Sequence, residues 1–140
     1  MCPASIGLRL VLGGTAGHSS QPHLACSPLP AAAQLVAELT DLPKRIERAG
    51  ALTTVTHLSA GIDSNFGITP DQAVLCATLR AQRSEHLDTL LSKSLQVAQQ
   101  TAKEAKLTLD HTTHEHFAAT VNNEDLAERA LEIASQLELD

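Results

Sequence analysis

A glycine-rich stretch near the N-terminus carries two histidines in a setting suited to chemistry. Residues 13–23 read Gly-Gly-Thr-Ala-Gly-His-Ser-Ser-Gln-Pro-His, which places His18 and His23 on a predicted loop with little side-chain bulk beside them. Histidine titrates nearest to neutral pH and offers two distinct ring nitrogens, which suits an oxyanion contact, proton transfer or metal binding. The plainer alternative is that Gly17 turns the chain and His18 is an ordinary surface histidine.

The amino-acid composition limits the classes of partner that this loop is expected to bind. The 140 residues carry a formal net charge of −6, no tryptophan, no tyrosine and two phenylalanines. These values argue against a base-stacking platform and against a basic nucleic-acid or membrane footprint, so small molecules or proteins are the expected partners. Three cysteines without a Cys-x-x-Cys spacing indicate free thiols and a cytoplasmic location. No apolar run is long enough to predict a membrane span, and no signal-peptide pattern is present.

Hydrophobic periodicity predicts the strands and helices that hold the loop. Period-two alternation predicts four strands, over residues 5–12, 52–58, 72–80 and 107–111. In the second strand, Thr54, Thr56 and Leu58 are expected on one face, and Thr53, Val55 and His57 on the other. Helical spacing predicts three helices, over residues 31–50, 84–105 and 123–140. The order is the split βαβ, or ferredoxin-like, α+β sandwich, with a four-stranded antiparallel sheet, two helices on one face and an extra C-terminal helix.

The first helix contains a proline that bears on its shape. Its core-facing side is expected to carry Leu29, Ala32, Val36 and Leu39. Pro43 predicts a kink, or a restart capped by Thr40 or Asp41, because its ring would clash with the carbonyl of Leu39 in a straight helix. The second piece, with Arg45 and Arg48, is expected to end at Gly50.

Three motifs resemble the lid, or dimerisation, domain of the zinc-dependent amidohydrolase and exopeptidase family that includes aminoacylase, hippurate hydrolase and carboxypeptidase G. The family places Gly-His, two small residues, one further residue and Pro-His after its first lid strand, as residues 17–23 do here. Its second block matches Gly61, Asn65, Pro70-Asp71, Ala73, Leu75, Thr78 and Arg80. A third block, residues 117–122, is similar to the segment that returns to the catalytic domain.

The resemblance implies specific roles. The histidine at the position of His18 stabilises the oxyanion formed when zinc-bound water attacks an amide carbonyl, commonly in the active site of the other subunit. Asn65 and Arg80 are implied to hold the carboxylate of a small amide substrate, and Gly17 and His23 to shape the loop, His23 through a hydrogen bond. Two departures affect these roles. Two extra residues separate Asn65 from Pro70, and Ser27 stands where the family commonly has an acid.

The resemblance also implies an organisation and partners. Residues 1–113 correspond to the lid, and residues 114–140 to a return segment and helix leading toward a catalytic domain that holds zinc or a similar divalent metal. The chain is expected to hydrolyse no amides alone, because the family's zinc ligands lie in that other domain. A homodimer is expected through the edge strand Leu52–Leu58, which would extend the sheet.

The residues themselves also allow other interpretations. The chain could be a free-standing ferredoxin-like module that binds a small carboxylated metabolite through Arg80 and the glycine loop, or a purely structural dimerisation domain. A strand would place His114 and His116 on one face near His111, but two imidazoles without a third ligand make a weak metal site. An exposed histidine-rich strand end is the favoured interpretation.

Overall fold

The computed structural model describes residues 2–46 and 50–137. In these ranges the elements are, in chain order, β1 (Ala4–Gly13), β2 (Gly17–His18), α1 (Leu29–Arg45), β3 (Leu52–Ala60), β4 (Ile68–Thr69), β5 (Gln72–Ala81), α2 (Ser84–Glu104), β6 (Thr108–Phe117) and α3 (Glu124–Gln136). The main sheet has the order β3-β5-β1-β6, and every neighbouring pair is antiparallel. With α1 and α2 packed together against one face, the ferredoxin-like prediction is confirmed.

The core lies between the sheet and the two helices. Along β1, every second side chain from Ala4 to Leu12 is buried, and β5 alternates in the same way from Ala73 to Ala81. Leu35 and Leu39 of α1 and the buried leucines of α2 cover this face. Each buried leucine contributes roughly 1.5–3 kcal/mol relative to an exposed one, so this alternation fixes which face of each strand points inward.

Helix α1 differs from its prediction in two ways. It continues without a restart to Arg45, and the Thr40 hydroxyl donates to the Val36 carbonyl at 2.7 Å within the helix. Pro43 lies in the last turn and has no N–H to donate to the Leu39 carbonyl, so the helix lacks that one bond near its end. Leu29 is about half exposed, and the buried side is instead formed by Ala31, Ala32, Leu35, Leu39, Leu42 and Pro43. The helix ends at Arg45, before the predicted end at Gly50, and Arg48 lies outside the described residues.

A bulge in β3 overturns the predicted faces of that strand. The register with β5 shifts between Val55 and His57, so that Thr54 lies opposite Thr78 and His57 opposite Cys76. Thr78 and Cys76 are both on the side of β5 that faces away from the helices. His57 therefore shares the open face with Thr54, because one extra residue reverses the alternation.

Strand β6 is twice as long as predicted. It extends to Phe117 along the edge of the sheet, and the proposed boundary after residue 113 falls inside it. Its exposed threonines and histidines need no apolar partner, which is why periodicity missed them. The pairing with β1 is irregular between Ser5 and Gly7, where Glu115 adopts a left-handed φ of 51°. This bulge breaks the simple alternation expected to align His114 with His116.

The C-terminal helix α3 begins as the sequence predicts. The Asn123 side chain accepts a hydrogen bond from the Leu126 backbone N–H at 3.0 Å and so caps the helix. Its apolar side chains, among them Leu126, Leu131 and Ile133, are exposed. None of the described helices is both long and apolar enough to cross a membrane.

Candidate functional site

The glycine-rich loop is closed at its base by a backbone bridge. Thr15 and Cys26 exchange N–H···O bonds of 2.9 and 3.0 Å, and the Gly14 N–H donates to the Asp71 carbonyl at 2.7 Å. A Cβ on Gly14 would lie 1.9 Å from the Cys26 carbonyl oxygen, and one on Gly17 would lie 2.6 Å from the Ala25 Cβ. Side chains at these positions would force the two sides of the loop apart, so the glycines have a steric reason to be there.

A two-residue ladder holds His18 beside a second loop. Gly17 pairs with Thr69, and His18 with Ile68, in the β2–β4 pair. The Thr69 hydroxyl accepts from the Gly17 N–H at 3.0 Å and donates to the Gly17 carbonyl at 3.2 Å. The Ser19 N–H donates to the Gly67 carbonyl at 2.9 Å. The loop between β3 and β5 is therefore fixed to the histidine loop, a pairing that periodicity could not show because each strand is only two residues long.

The surroundings of His18 determine which ring nitrogen carries its proton. Nδ1 accepts the Ser20 backbone N–H at 3.2 Å, and the Ser20 hydroxyl lies 2.7 Å from the same nitrogen. An acceptor Nδ1 leaves the proton of the neutral ring on Nε2. Within the described residues Nε2 has no hydrogen-bond partner, and the side chain is exposed. The imidazole thus retains one N–H donor that its own loop does not use.

Asn65 lies on the loop that β2–β4 pairing brings to His18. Its Oδ1 accepts the Gly67 N–H at 3.0 Å, which shapes the turn whose Gly67 carbonyl binds Ser19. The Nδ2 group makes no hydrogen bond to any residue that the structure describes. Asn65 therefore uses its oxygen to support the loop and retains two donors for another molecule.

His23 lies in a short 3-10 turn, Pro22–Leu24, and is exposed. Its ring makes no hydrogen bond within residues 2–46 and 50–137. Backbone bonds hold this turn instead, from the Leu24 N–H to the Gln21 carbonyl and from the Ala25 N–H to the Pro22 carbonyl. The hydrogen bond expected of the His23 ring is thus not seen.

Arg80 lies at the other end of the sheet. It pairs with Ser5 on β1, whereas the loop of His18 follows Gly13. Eight residues of antiparallel strand separate Ser5 from Gly13, which is about 27 Å at ~3.4 Å per residue. Arg80 is exposed and forms no ion pair with a described residue. It lines a cleft that is also bordered by the residues just before β1 and just after β6. One copy of the chain therefore cannot bring His18 and Arg80 to the same small ligand.

No group of three or more His, Cys, Asp or Glu side chains is placed to hold a metal ion within the part of the chain that is described. His111 and His114 pair with residues three positions apart on β1, Leu10 and Gly7. They are therefore not adjacent on one face of β6.

Comparisons with known proteins identify the family. A family model described as "Peptidase dimerisation domain" matches residues 4–106. The chain is 27% identical over 121 residues to N-acetyldiaminopimelate deacetylase of Leuconostoc citreum (strain KM20), which covers 85% of the chain and 31% of the relative. The chain thus spans about a third of the length of this relative.

Solved structures show the same fold. The crystal structure of AtUAH in complex with glyoxylate superposes with a TM-score of 0.86 at 19% identity, covering 99% of the chain and 33% of that protein. A tripeptidase from Staphylococcus aureus subsp. aureus Mu50 gives a TM-score of 0.80 at 21% identity, covering 99% and 36%. Because the family model matches well over half of the residues, the chain belongs to the peptidase dimerisation domain family.

Proposed function

We propose that this chain is the lid and dimerisation domain of a metal-dependent amidohydrolase that cleaves N-acyl amino acids or small peptides. Its family membership and its similarity to a deacetylase favour this role over a free-standing metabolite-binding module. The observation that carries the proposal is the state of His18, whose Nδ1 is occupied by Ser20 and whose Nε2–H is free to donate.

The proposed task of His18 is to stabilise negative charge on a substrate carbonyl oxygen. A tetrahedral intermediate of amide hydrolysis concentrates charge on that oxygen, and a donor already aimed at it needs no reorganisation. Ser20 holds the imidazole through Nδ1 and the β2–β4 ladder fixes its backbone, so Nε2–H is left without a partner among the described residues. Asn65 is proposed to donate its free amide to the substrate from the adjoining loop, and Arg80 to bind a substrate carboxylate with its guanidinium fork.

The separation of His18 from Arg80 supports a dimer. Since about 27 Å of strand lies between their ends of the sheet, one active site that uses both takes them from two copies of the chain. Strand β3 is an edge of the sheet and is proposed to pair with its twin in a homodimer.

The rest of the enzyme is proposed to supply the metal and the water. Residues 114–140 are proposed to lead back to a catalytic domain holding zinc or a similar divalent ion, which would activate the attacking water. The described residues contain no group fit to bind that ion. The free thiols of Cys2, Cys26 and Cys76 support a reducing, cytoplasmic location.

Steady-state kinetics of the full-length enzyme test the role of His18. His18→Ala is expected to lower kcat about 10²–10³-fold with little change in KM, as loss of an oxyanion donor does. His18→Gln, which keeps an N–H near the position of Nε2, should retain more activity. His111→Ala, an exposed histidine on β6, is the matched control and should behave as wild type. A kcat within about twofold of wild type for His18→Ala would exclude the oxyanion role.

A further inference from the structure

A cleft of about 350 Å³ opens on the side of the sheet away from α1 and α2. Its floor is formed by Ser5 and Gly7 of β1, which have little or no side chain, between Arg80 on β5 and Glu115 on β6. The small residues leave room above β1, whereas the two neighbouring strands carry long charged side chains. Arg80 and Glu115 therefore line the same cleft from the two strands that flank β1.

Glu115 lines this cleft at the position of the bulge in β6. Its φ of 51° is in the left-handed region, which costs roughly 1 kcal/mol or more for a residue with a Cβ. Ser5 pairs with Phe117 and Gly7 with His114, so two residues of β6 oppose one of β1 at this point. Bulges of this kind re-aim a side chain, and here Glu115 becomes part of the cleft wall.

The two charges in the cleft do not neutralise each other. Among the described residues, ion pairs join Lys44 to Asp41 and Arg83 to Glu85, and neither Arg80 nor Glu115 takes part in one. Strands β5 and β6 flank β1 on its two sides, so their backbones are about 9.6 Å apart, twice the ~4.8 Å spacing of neighbours. A small ligand over β1 can lie between the guanidinium and the carboxylate.

We propose that this cleft binds a free amino acid group, with Arg80 taking the carboxylate and Glu115 the ammonium. The assignment of Arg80 rests on the proposed function, and the ammonium site at Glu115 is new. An ammonium and a carboxylate on one carbon complement a carboxylate and a guanidinium held on opposite sides of a cleft. An N-acylated substrate has only the carboxylate for Arg80, whereas the free amino acid that the proposed hydrolysis releases has both charges, so the cleft favours this product over the substrate.

Ligand titrations of the chain followed by amide NMR shifts test this site. The probes are L-alanine, N-acetyl-L-alanine and ethylammonium, at pH 7 and constant ionic strength. Alanine is expected to bind at least tenfold more tightly than either of the other two, with shift changes at residues 5, 7, 80 and 115. Equal affinities for alanine and N-acetylalanine would overturn the ammonium site, and so would the absence of shifts with alanine.

Variants separate the two charges. Glu115→Gln should reduce the affinity for alanine to that for N-acetylalanine and leave the latter unchanged within twofold. Glu115→Gly should have the same effect on binding but raise Tm, because glycine relieves the left-handed backbone. Asp110→Asn removes the same charge from another exposed residue of β6, outside the cleft, and should bind alanine as wild type does. Loss of alanine binding in Asp110→Asn equal to that in Glu115→Gln would show a general charge effect and overturn the proposal.

The variant Arg80→Gln distinguishes failure of the ammonium site at Glu115 from failure of the proposed carboxylate role of Arg80. It is expected to weaken binding of both alanine and N-acetylalanine. If N-acetylalanine binding depends on Arg80 while Glu115→Gln has no effect on alanine, the carboxylate role of Arg80 stands and the ammonium site is wrong. If Arg80→Gln changes neither affinity, the carboxylate role itself is wrong, and the ammonium site fails with it.

Discussion

The side chain of Asn65 uses its oxygen to support its own loop, while its amide donors bond to no described residue. Its Oδ1 accepts from Gly67, and the Gly67 carbonyl accepts from Ser19, next to His18. Support of the loop and the proposed contact with a substrate thus use different atoms of one amide. A substitution that preserves the oxygen but removes the donors can measure them separately.

Asn65→Asp is expected to keep the turn, since its carboxylate still accepts the Gly67 N–H, whereas Asn65→Ala removes that bond. Hydrogen exchange of the Ser19 amide should be near wild type in the aspartate variant and about fivefold faster in the alanine variant, for a bond of about 1 kcal/mol. In the full enzyme both variants should lower kcat/KM. Asn122→Ala, in the segment after β6, is the control. Equal exchange rates in all variants would show that Asn65 does not support the loop.

The sequence indicated which residues are candidates for the site, but it did not indicate their hydrogen-bond partners. The Gly-His-Ser-Ser and Pro-Asp motifs indicated His18, Asn65 and Arg80 from the sequence. The bond from Ser20 to Nδ1 of His18, and the contacts of Thr69 with Gly17, depend on backbone geometry between segments about fifty residues apart. Glu115 gave no signal, because a polar residue in an edge strand reads as solvated surface.

At the scale of elements, β3 combines two properties of an interface strand. It is the last strand of the sheet, and its Leu58 lies opposite the buried Leu75, on the side that carries the helices. Leu58 nevertheless remains 44% exposed, because no further strand or helix covers it. A second β3 across a two-fold axis would cover this leucine and pair the free edge.

Leu58→Lys is therefore expected to weaken the dimer, because the two-fold axis would bring two positively charged lysines into the same interface. Light scattering after size exclusion should show a dimer for the wild-type chain and a dissociation constant at least tenfold higher for the variant, about 1.4 kcal/mol. Leu126→Lys changes an exposed leucine of α3 and should leave the dimer intact. A wild-type chain that stays monomeric at 100 μM, or equal effects of the two variants, would argue against β3 as the interface.

The order of strands and helices could be predicted from hydrophobic periodicity, because burial of one face of each element produces that periodicity. The core alternation of β1 and β5 and the start of α3 near Asn123 agree with the sequence prediction. Bulges in β3 and β6 were not predictable, since one extra residue is visible only against the partner strand. The length of β6 was underestimated because edge strands tolerate polar residues on both faces.

At the scale of the whole molecule, the sheet separates two sets of residues for which functions are proposed. His18 and Asn65 are at the end of β1 near Gly13, and Arg80 and Glu115 are near Ser5, about 27 Å away. A shared active site therefore requires two chains, each contributing opposite ends of its sheet. If the proposed roles of His18 and Arg80 hold, dimerisation is a condition for activity in addition to stability.

Mixing two inactive variants of the full enzyme tests this arrangement. His18→Ala and Arg80→Gln homodimers each lack one group at every site. After subunit exchange, a mixed dimer has one site with both groups intact and one with neither. Random exchange makes half of the dimers mixed, so activity should recover to about a quarter of wild type if the sites are shared between chains.

If each chain supplied both groups to one site, every site in the mixed dimer would lack one of them and no activity would return. Mixing His18→Ala with Asn65→Ala provides the control, because these residues lie on adjoining loops at the same end of the sheet. That pair should not recover, since its mixed dimers have one defect at each site. Recovery by the first pair without recovery by the second would place His18 and Asn65 together on one chain, and Arg80 on the other, at each active site.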